Sequence, residues 1–455
     1  MYKMSNLPEF TGVGEALTSV NELEQSDVAF FDFPKPAPEY IIARHTDHIP
    51  PANDIGYEFA PVSFEVKNVG AHYLDFSKTH LVGSFKVTKA DGSKLDDNTE
   101  VAIINNFPHA LWNNIDIIID GTLQVELSTN RYAYKAYFEQ LLSYSKQSEG
   151  HTKPLSLWHL DTAGKYDECT AENIGYTERK ALIAGSKECH FHTPLLIDFM
   201  ALNRLYPNCS SIVLRLSRNP VEFLLMAADT SKQYKIKIVN LLLKIDKVTL
   251  NPQLYKATEL QWYKQNMIFS YDKCKILEFS IKQNQTLVDF NDIHSGQIPK
   301  YFLMGMVRQA SLTGSFAENP FNFATNNIIK LYCKVNGQIV PSYPYEFDFA
   351  SNPKKCLTAF ASLYDELGIN RADKQHYINM EQFTGGAFIM PFSFCPDSCF
   401  GRNLHPLTSG QISLHMQFST GLTSSWTLLL FAVFDEAFEL DVARQITFPR
   451  GRLIP

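Results

Sequence analysis

Catalytic signatures are the first thing this chain does without. It has no Gly-x-x-x-x-Gly-Lys-Ser/Thr phosphate loop, no Gly-x-Ser-x-Gly nucleophile elbow and no Gly-x-Gly-x-x-Gly after a strand. Nothing therefore points to nucleotide chemistry or to the common hydrolase design. Charge is thin as well: Asp, Glu, Lys and Arg make up 20% of the residues and the formal net charge is −7. An acidic chain of this kind offers no electrostatic footprint for nucleic acid, and specific nucleic-acid binding is not expected. The eight cysteines (169, 189, 209, 274, 333, 356, 395 and 399) are scattered over 455 residues. That spacing excludes a disulfide scaffold and fits a reducing compartment. Long apolar runs are missing too: the longest, Trp426–Phe434, falls far short of the roughly 20 residues that cross a bilayer. The first residues, Met1 to Asn6, lead into Glu-, Asn- and Ser-rich sequence without an apolar signal core, so a soluble protein with no membrane span and no secretory entry is expected.

Aromatic residues, by contrast, are abundant, with 33 Phe and 21 Tyr. Such side chains suit pleated, half-buried surfaces and favour sheets over helical bundles. A pattern of hairpin plus helix also occurs twice. Its first copy runs from Asn106-Phe107 through Asn113–Ile119 to the Asp120-Gly121 turn, then to an amphipathic stretch from Ala133 to Tyr144. The second runs from Pro320-Phe321 through Asn326–Val335 to the Asn336-Gly337 turn, then to a helix-like stretch from Lys354 to Leu367. The two turn glycines stand 216 positions apart, nearly half the chain. Duplication on that scale points to a repeated structural building block.

Strict alternation in Val62–Val66 marks a half-buried strand, and Leu81–Val87, Val101–Ile104 and Ile115–Ile119 read the same way. Cys189–Ile197, Ser211–Leu216 and Tyr234–Leu250 complete a first module. Lys275–Ile281, Tyr301–Arg308, Ile412–Phe418 and the wholly apolar Leu428–Phe434 belong to a second. A strand as apolar as the last is expected to be covered on both faces. In the helix from Ala133, residues Tyr134, Tyr137, Phe138, Leu141 and Leu142 share one face. Residues 145–188 read as a long polar excursion of the kind that is functional or contacts neighbours. The expected division is an extended, proline-containing N-terminal arm over 1–55, modules over 56–250 and 251–445, and a tail over 446–455. Many short strands at regular spacing, with turn signals between them, read as an all-β chain of sandwiches or jelly rolls.

Few residue clusters suggest chemistry. His190 and His192 lie on one face of their strand at a metal-ligand spacing, with Glu188 and Asp198 nearby in sequence, but no further ligand is fixed by the pattern. Cys395 and Cys399 form one Cys-x-x-x-Cys pair without a second pair to complete a tetrahedral site. Asp96-Asp97 and Asp289/Asp292 fall in turn-like stretches that turn chemistry explains. Gly385-Gly386 reads as a turn feeding a strand from Ala387. No catalytic residue, metal ligand or cofactor site is assigned.

Six segments carry a family resemblance: Tyr73–Thr79 leading to Val87–Gly92; Asn105–Trp112; Asn130–Tyr144 continuing to Leu157–Gly164; Leu214–Arg218 with Glu222–Met226; Asn319–Phe323 with Val335–Gly337; and Phe434–Asp441. In this order they resemble the double jelly-roll major capsid proteins of Polinton/Maverick elements and adintoviruses, over about residues 70 to 445. Val442–Gln445 and the tail to Pro455 depart from the family pattern and put the C-terminal contacts in question. The resemblance implies an all-β fold class, two tandem eight-stranded jelly rolls with short helices in the loops, and a hexon-like structural protein of the virion that is no enzyme. It makes residues 145–188 a candidate outer tower or clasp between subunits. It implies homotrimeric, pseudo-hexagonal capsomers that tile an icosahedral shell and contact neighbouring capsomers and penton or minor capsid proteins. A minor capsid protein, or a jelly-roll metal enzyme or carbohydrate-binding protein using His190 and His192, are the competing readings.

Overall fold

The computed structural model describes residues 40–56, 60–67, 70–144, 153–207, 211–349, 351, 355–366, 378–394 and 408–448. Residues 1–39 of the expected arm, most of the tail, and Cys395 and Cys399 lie outside the described residues.

Alternation of apolar and polar residues builds two four-stranded sheets in the first half. One contains β1 (Ile41–Ile49), β3 (His72–Lys89), β7 (Cys189–Pro194) and β10 (Tyr234–Leu250), in the spatial order β1-β10-β3-β7. The other contains β2 (Val62–Lys67), β5 (Trp112–Ile119), β6 (Thr122–Leu123) and β8 (Ser211–Arg218), in the order β2-β8-β5-β6. A short ribbon of β4 (Val101–Ile103) and β9 (Leu225–Ala227) stands apart. Val62, Phe64 and Val66, with Ile212, Leu214 and Leu216 and with Ile115 and Ile117, point inward from one sheet and are fully buried. Phe85, Val87, Leu241 and Leu243 are buried in the other. The period of two therefore turns directly into a sandwich core.

The second half repeats this plan. β11 (Met267–Ile281), β13 (Tyr301–Arg308), β16 (Met390–Ser393) and β18 (Trp426–Leu440) stand in the order β11-β18-β13-β16, with β19 (Ile446–Thr447) paired to β18. β12 (Leu287–Gln297), β14 (Ile328–Val335), β15 (Gln338–Glu346) and β17 (Ser409–Phe418) stand in the order β12-β17-β14-β15. When the eight main strands of each half are counted in chain order, both halves read first-eighth-third-sixth and second-seventh-fourth-fifth. That is the jelly-roll order, present twice, and the protein is a double jelly roll. The repeat legible in sequence has the same topology in both copies, and its two turns, at Asp120-Gly121 and Asn336-Gly337, both use positive φ.

Several elements differ from expectation. Ile41–Ile49 is an antiparallel edge strand on β10 rather than part of a ladder-free arm; the nearest prolines flank it and leave its own amides free to pair. Pro252–Trp262 is a linker helix between the barrels, capped by the Asn251 side chain, and only Trp262 is buried. Asp289 stands on strand β12, 2.6 Å from His415, instead of in a turn. The two expected helices are present as Tyr132–Ser143 and Leu357–Glu366.

Candidate functional site: the junction between the barrels

The site is the junction that fuses one barrel to the other. β18 explains why it exists. On one face Phe434 looks into the second barrel and meets His294 of β12 at 5.3 Å, while Phe438, further along, reaches Phe199 of the first half at 6.1 Å. On the other face Phe431 meets Phe138 of the helix Tyr132–Ser143 at 5.5 Å. Both faces are covered, as expected of so apolar a strand.

The helix Tyr132–Ser143 is buried nearly all round, because its tyrosine-rich face fills the gap between barrels. Tyr137 stacks on Phe321 with ring centroids 4.1 Å apart and planes 4° from parallel. Tyr134 meets the same Phe321 edge-on at 5.6 Å, and Phe138 meets Phe323 at 5.1 Å. Offset and edge-to-face pairs of this kind add about 0.5–1.5 kcal/mol each beyond the area they bury.

The charged groups described in the junction are matched to partners. Lys135, only 2% exposed, lies 3.1 Å from Asp198 and 3.1 Å from the Leu196 carbonyl, and it also pairs with Glu139. Burial alone would push the Lys135 ammonium below its usual pKa; Asp198 and Glu139 outweigh that and raise it. Asp198 also accepts the Cys274 amide of β11 at 2.8 Å, so this buried charge ties the two barrels together. Burial, then Asp198, holds the Cys274 thiol far above the range in which it would react.

The excursion after Tyr144 supplies the second tie. Residues 145–152 lie outside the described residues; the rest is far from a loose polar loop. It contains a short turn of helix at Lys153–Ser156 and the helix Ile174–Ile183, and it buries Trp158, Tyr166, Tyr176 and Arg179. Arg179 donates to Asp161 at 2.6 Å, to the Ile103 carbonyl at 2.8 Å and to the His159 carbonyl. Asn173, which caps the helix Ile174–Ile183, donates to Asp161 at 2.8 Å. From the second barrel Asn319 donates to the other Asp161 oxygen at 2.9 Å, while Tyr166 donates to Gln382 at 2.6 Å. The excursion is thus a clasp within one chain.

Gly386 shows how closely the clasp approaches: its φ is +132°, and a Cβ there would lie 2.3 Å from the Tyr166 ring. Gly386→Ala is therefore expected to destabilise the protein by about 2–3 kcal/mol through overpacking and backbone strain. Thermal unfolding checks this, and an unchanged midpoint would count against the tight approach.

The residues singled out for chemistry are not brought into a reactive cluster. His190 and His192 do share the outward face of β7. His190 is exposed and 4.0 Å from Glu188, whereas His192 meets the His80 ring edge-on at 5.0 Å. Glu188 is engaged by Ser84 and Lys86, and Asp198 by Lys135. Burial, then His80, Lys244 and His48, holds the His192 imidazole below its ordinary pKa. Among the described residues no group of three or more His, Cys, Asp or Glu side chains is placed to hold a metal ion. Gly385-Gly386 precedes a strand that starts at Met390, three residues later than expected from Ala387. Residue-by-residue reasoning missed Lys135, Asp161, Arg179 and Asn319 as the polar ties. Three of them fall inside segments that carried the resemblance, which was the available signal.

No family model matches the chain. A protein of Caenorhabditis elegans, F54H12.2, described as uncharacterized, is 25% identical over 398 residues, covering 84% of this chain and 92% of that protein. A chain of the Sputnik virophage, determined by cryo-EM, superposes with a TM-score of 0.60 at 9% identity over 95% of each chain. The mavirus major capsid protein superposes with a TM-score of 0.52 at 12% identity, over 94% of this chain and 95% of its own. The structural likeness extends over nearly the whole double jelly roll.

Proposed function

We propose that this chain is the major capsid protein of a virus or integrated element of the Polinton/Maverick and adintovirus group. Three copies form a pseudo-hexagonal capsomer that tiles an icosahedral shell. The observation that carries this reading is the identical strand order of two barrels joined by a buried junction. A trimer of such chains presents six barrels of one topology, which is what near-sixfold packing needs from a threefold ring. The likeness to a mavirus major capsid protein supports the same reading. A minor capsid protein is disfavoured because one barrel suffices for that role.

The work of such a protein is association through complementary surfaces, with interfaces of roughly 2,000 Å² or more. The first barrel is drawn from Ile41, because β1 belongs to its sheet, to Leu250; the second follows the linker helix. Residues 1–39 and the segment after Phe448 serve contacts between capsomers and with penton or minor proteins. The protein resides in the virion and acts without catalysis.

Light scattering on a sizing column tests the reading. The expected mass is near 155 kDa, three times 51.7 kDa, or larger shell-like particles. A monomer persisting over a wide concentration range would overturn it. Removing residues 1–39 is expected to leave trimers intact and to impair shells; loss of trimers would refute that role for the arm.

A further inference from the structure

Register makes the two barrels comparable position by position. In the second, Val433 of β18 pairs with Cys274 of β11 and Tyr301 of β13, and Tyr301 pairs with Ser393, the last residue of β16. In the first, Lys244 of β10 pairs with His48 of β1 and His80 of β3, and His80 pairs with Pro194, the last residue of β7. The row Cys274–Val433–Tyr301–Ser393 is thus the counterpart of His48–Lys244–His80–Pro194. Two residues along, Phe431–Leu303–Pro391 corresponds to Leu242–Val82–His192.

The second-barrel rows are covered by the first barrel's helix Tyr132–Ser143, as Phe138 on Phe431 records, and the residue before the helix, Arg131, pairs with Glu278 one row further along. The counterpart rows on the first barrel have no helix lying across them among the described residues; Gln140, Tyr144, Leu155 and Ser156 border them at one edge. The counterpart helix, Leu357–Glu366, rests on its own barrel through Ala359, Ser362 and Leu363. Its other side leaves Leu357 63% exposed, with Thr358, Ala361 and Asp365 exposed beside it. Among the described residues, each chain therefore contains one completed junction, one face that no helix crosses and one helix with an exposed side.

Their charges agree in sense. The open face presents Lys86, Lys244, His48, His80, His190 and His192 against Glu188 and Asp246. The helix contains Asp365 and Glu366 and no basic residue. The change from Cys274, Val433 and Tyr301 to His48, Lys244 and His80 also has a physical reason. A junction inside one chain never separates and tolerates an apolar row. A face that waits for a partner must stay hydrated until it arrives.

We propose that the helix Leu357–Glu366 of one copy seats on the outer face of β1-β10-β3-β7 of a second copy. The stripe Leu357, Thr358, Ala361 and Asp365 lies over the rows of His48, Lys244 and His80 and of Val82 and His192. The contact is head-to-tail and repeats the in-chain junction, and in the capsomer reading three such contacts close the ring. This assignment rests on the capsomer reading and names its contact.

The test uses the full chain and two variants, Val82→Glu on the face and Ala361→Arg on the helix. Wild type is expected near 155 kDa and each variant near 52 kDa, with unchanged far-UV circular dichroism. Mixed together, the variants retain one good face and one good helix between them and are expected to give a dimer near 103 kDa, twice 51.7 kDa. If a variant fails to fold, Lys244→Glu and Leu357→Arg carry the same expectations. A trimeric wild type whose variants also remain trimeric, or a mixture with no dimer, overturns the seating and leaves the capsomer reading standing. A monomeric wild type overturns both.

Discussion

Replacing Arg179 by methionine is expected to destabilise the protein by about 3–5 kcal/mol, because it strands a carboxylate in a dry junction. Arg179 is fully buried and Asp161 is 1% exposed, so water cannot compensate for the lost guanidinium. Asn173 and Asn319 still donate to Asp161, but neither carries charge. The Ile103 and His159 carbonyls lose their donor at the same time. Because the two barrels unfold as one unit of about 450 residues, the loss corresponds to roughly 3–5 °C in thermal midpoint. A double replacement, Arg179→Met with Asp161→Leu, is expected to recover part of it, since removing both charges of a buried pair is milder than removing one. Calorimetry on the three proteins decides the matter. A single variant no less stable than wild type would mean that Asp161 is not held as an uncompensated charge.

The second large effect is expected at Phe321. Phe321→Ala removes the ring that stacks on Tyr137 and meets Tyr134 and Phe223 edge-on, at a position only 1% exposed. Truncating a buried phenylalanine costs about 3–5 kcal/mol. The location makes the result more specific than a number. Phe321 belongs to the second half, whereas Tyr134, Tyr137 and Phe223 belong to the first, so the cavity opens between barrels and loosens their coupling. The expected trace shows two resolved unfolding transitions where wild type shows one. Phe64→Ala, deep inside the first barrel, serves as the control and is expected to lower that barrel's stability without resolving the transitions. If Phe321→Ala and Phe64→Ala behave alike, the barrels are not coupled through this stack.

Strands with a covered and a hydrated face announced themselves in the sequence. Tyr234–Leu250 and Tyr301–Arg308 have the bounds that alternation and apolar runs indicated. The hairpin turns were legible because Asp120, Gly121, Asn336 and Gly337 tolerate positive φ. The helix Tyr132–Ser143 was legible from its spacing of aromatics. The family resemblance added the jelly-roll order, which no local pattern contains.

Other features needed the chain to be folded. β1 is a strand because β10, about 200 residues later, offers it a ladder; its own residues alternate too weakly to show it. Asp161 and Asn319 are 158 positions apart, and Lys135 reaches Asp198 only because two barrels close around them. The excursion after Tyr144 looks polar in sequence because its Asp, Asn and Arg side chains satisfy one another inside the junction instead of meeting water. The sequence by itself determined the elements, since alternation, helical spacing and turn preference act over a few residues. Tertiary structure decided the pairing, the junction, the open face and the exposed helix side, because a jelly roll joins its first strand to its last, and partners so distant leave no local trace.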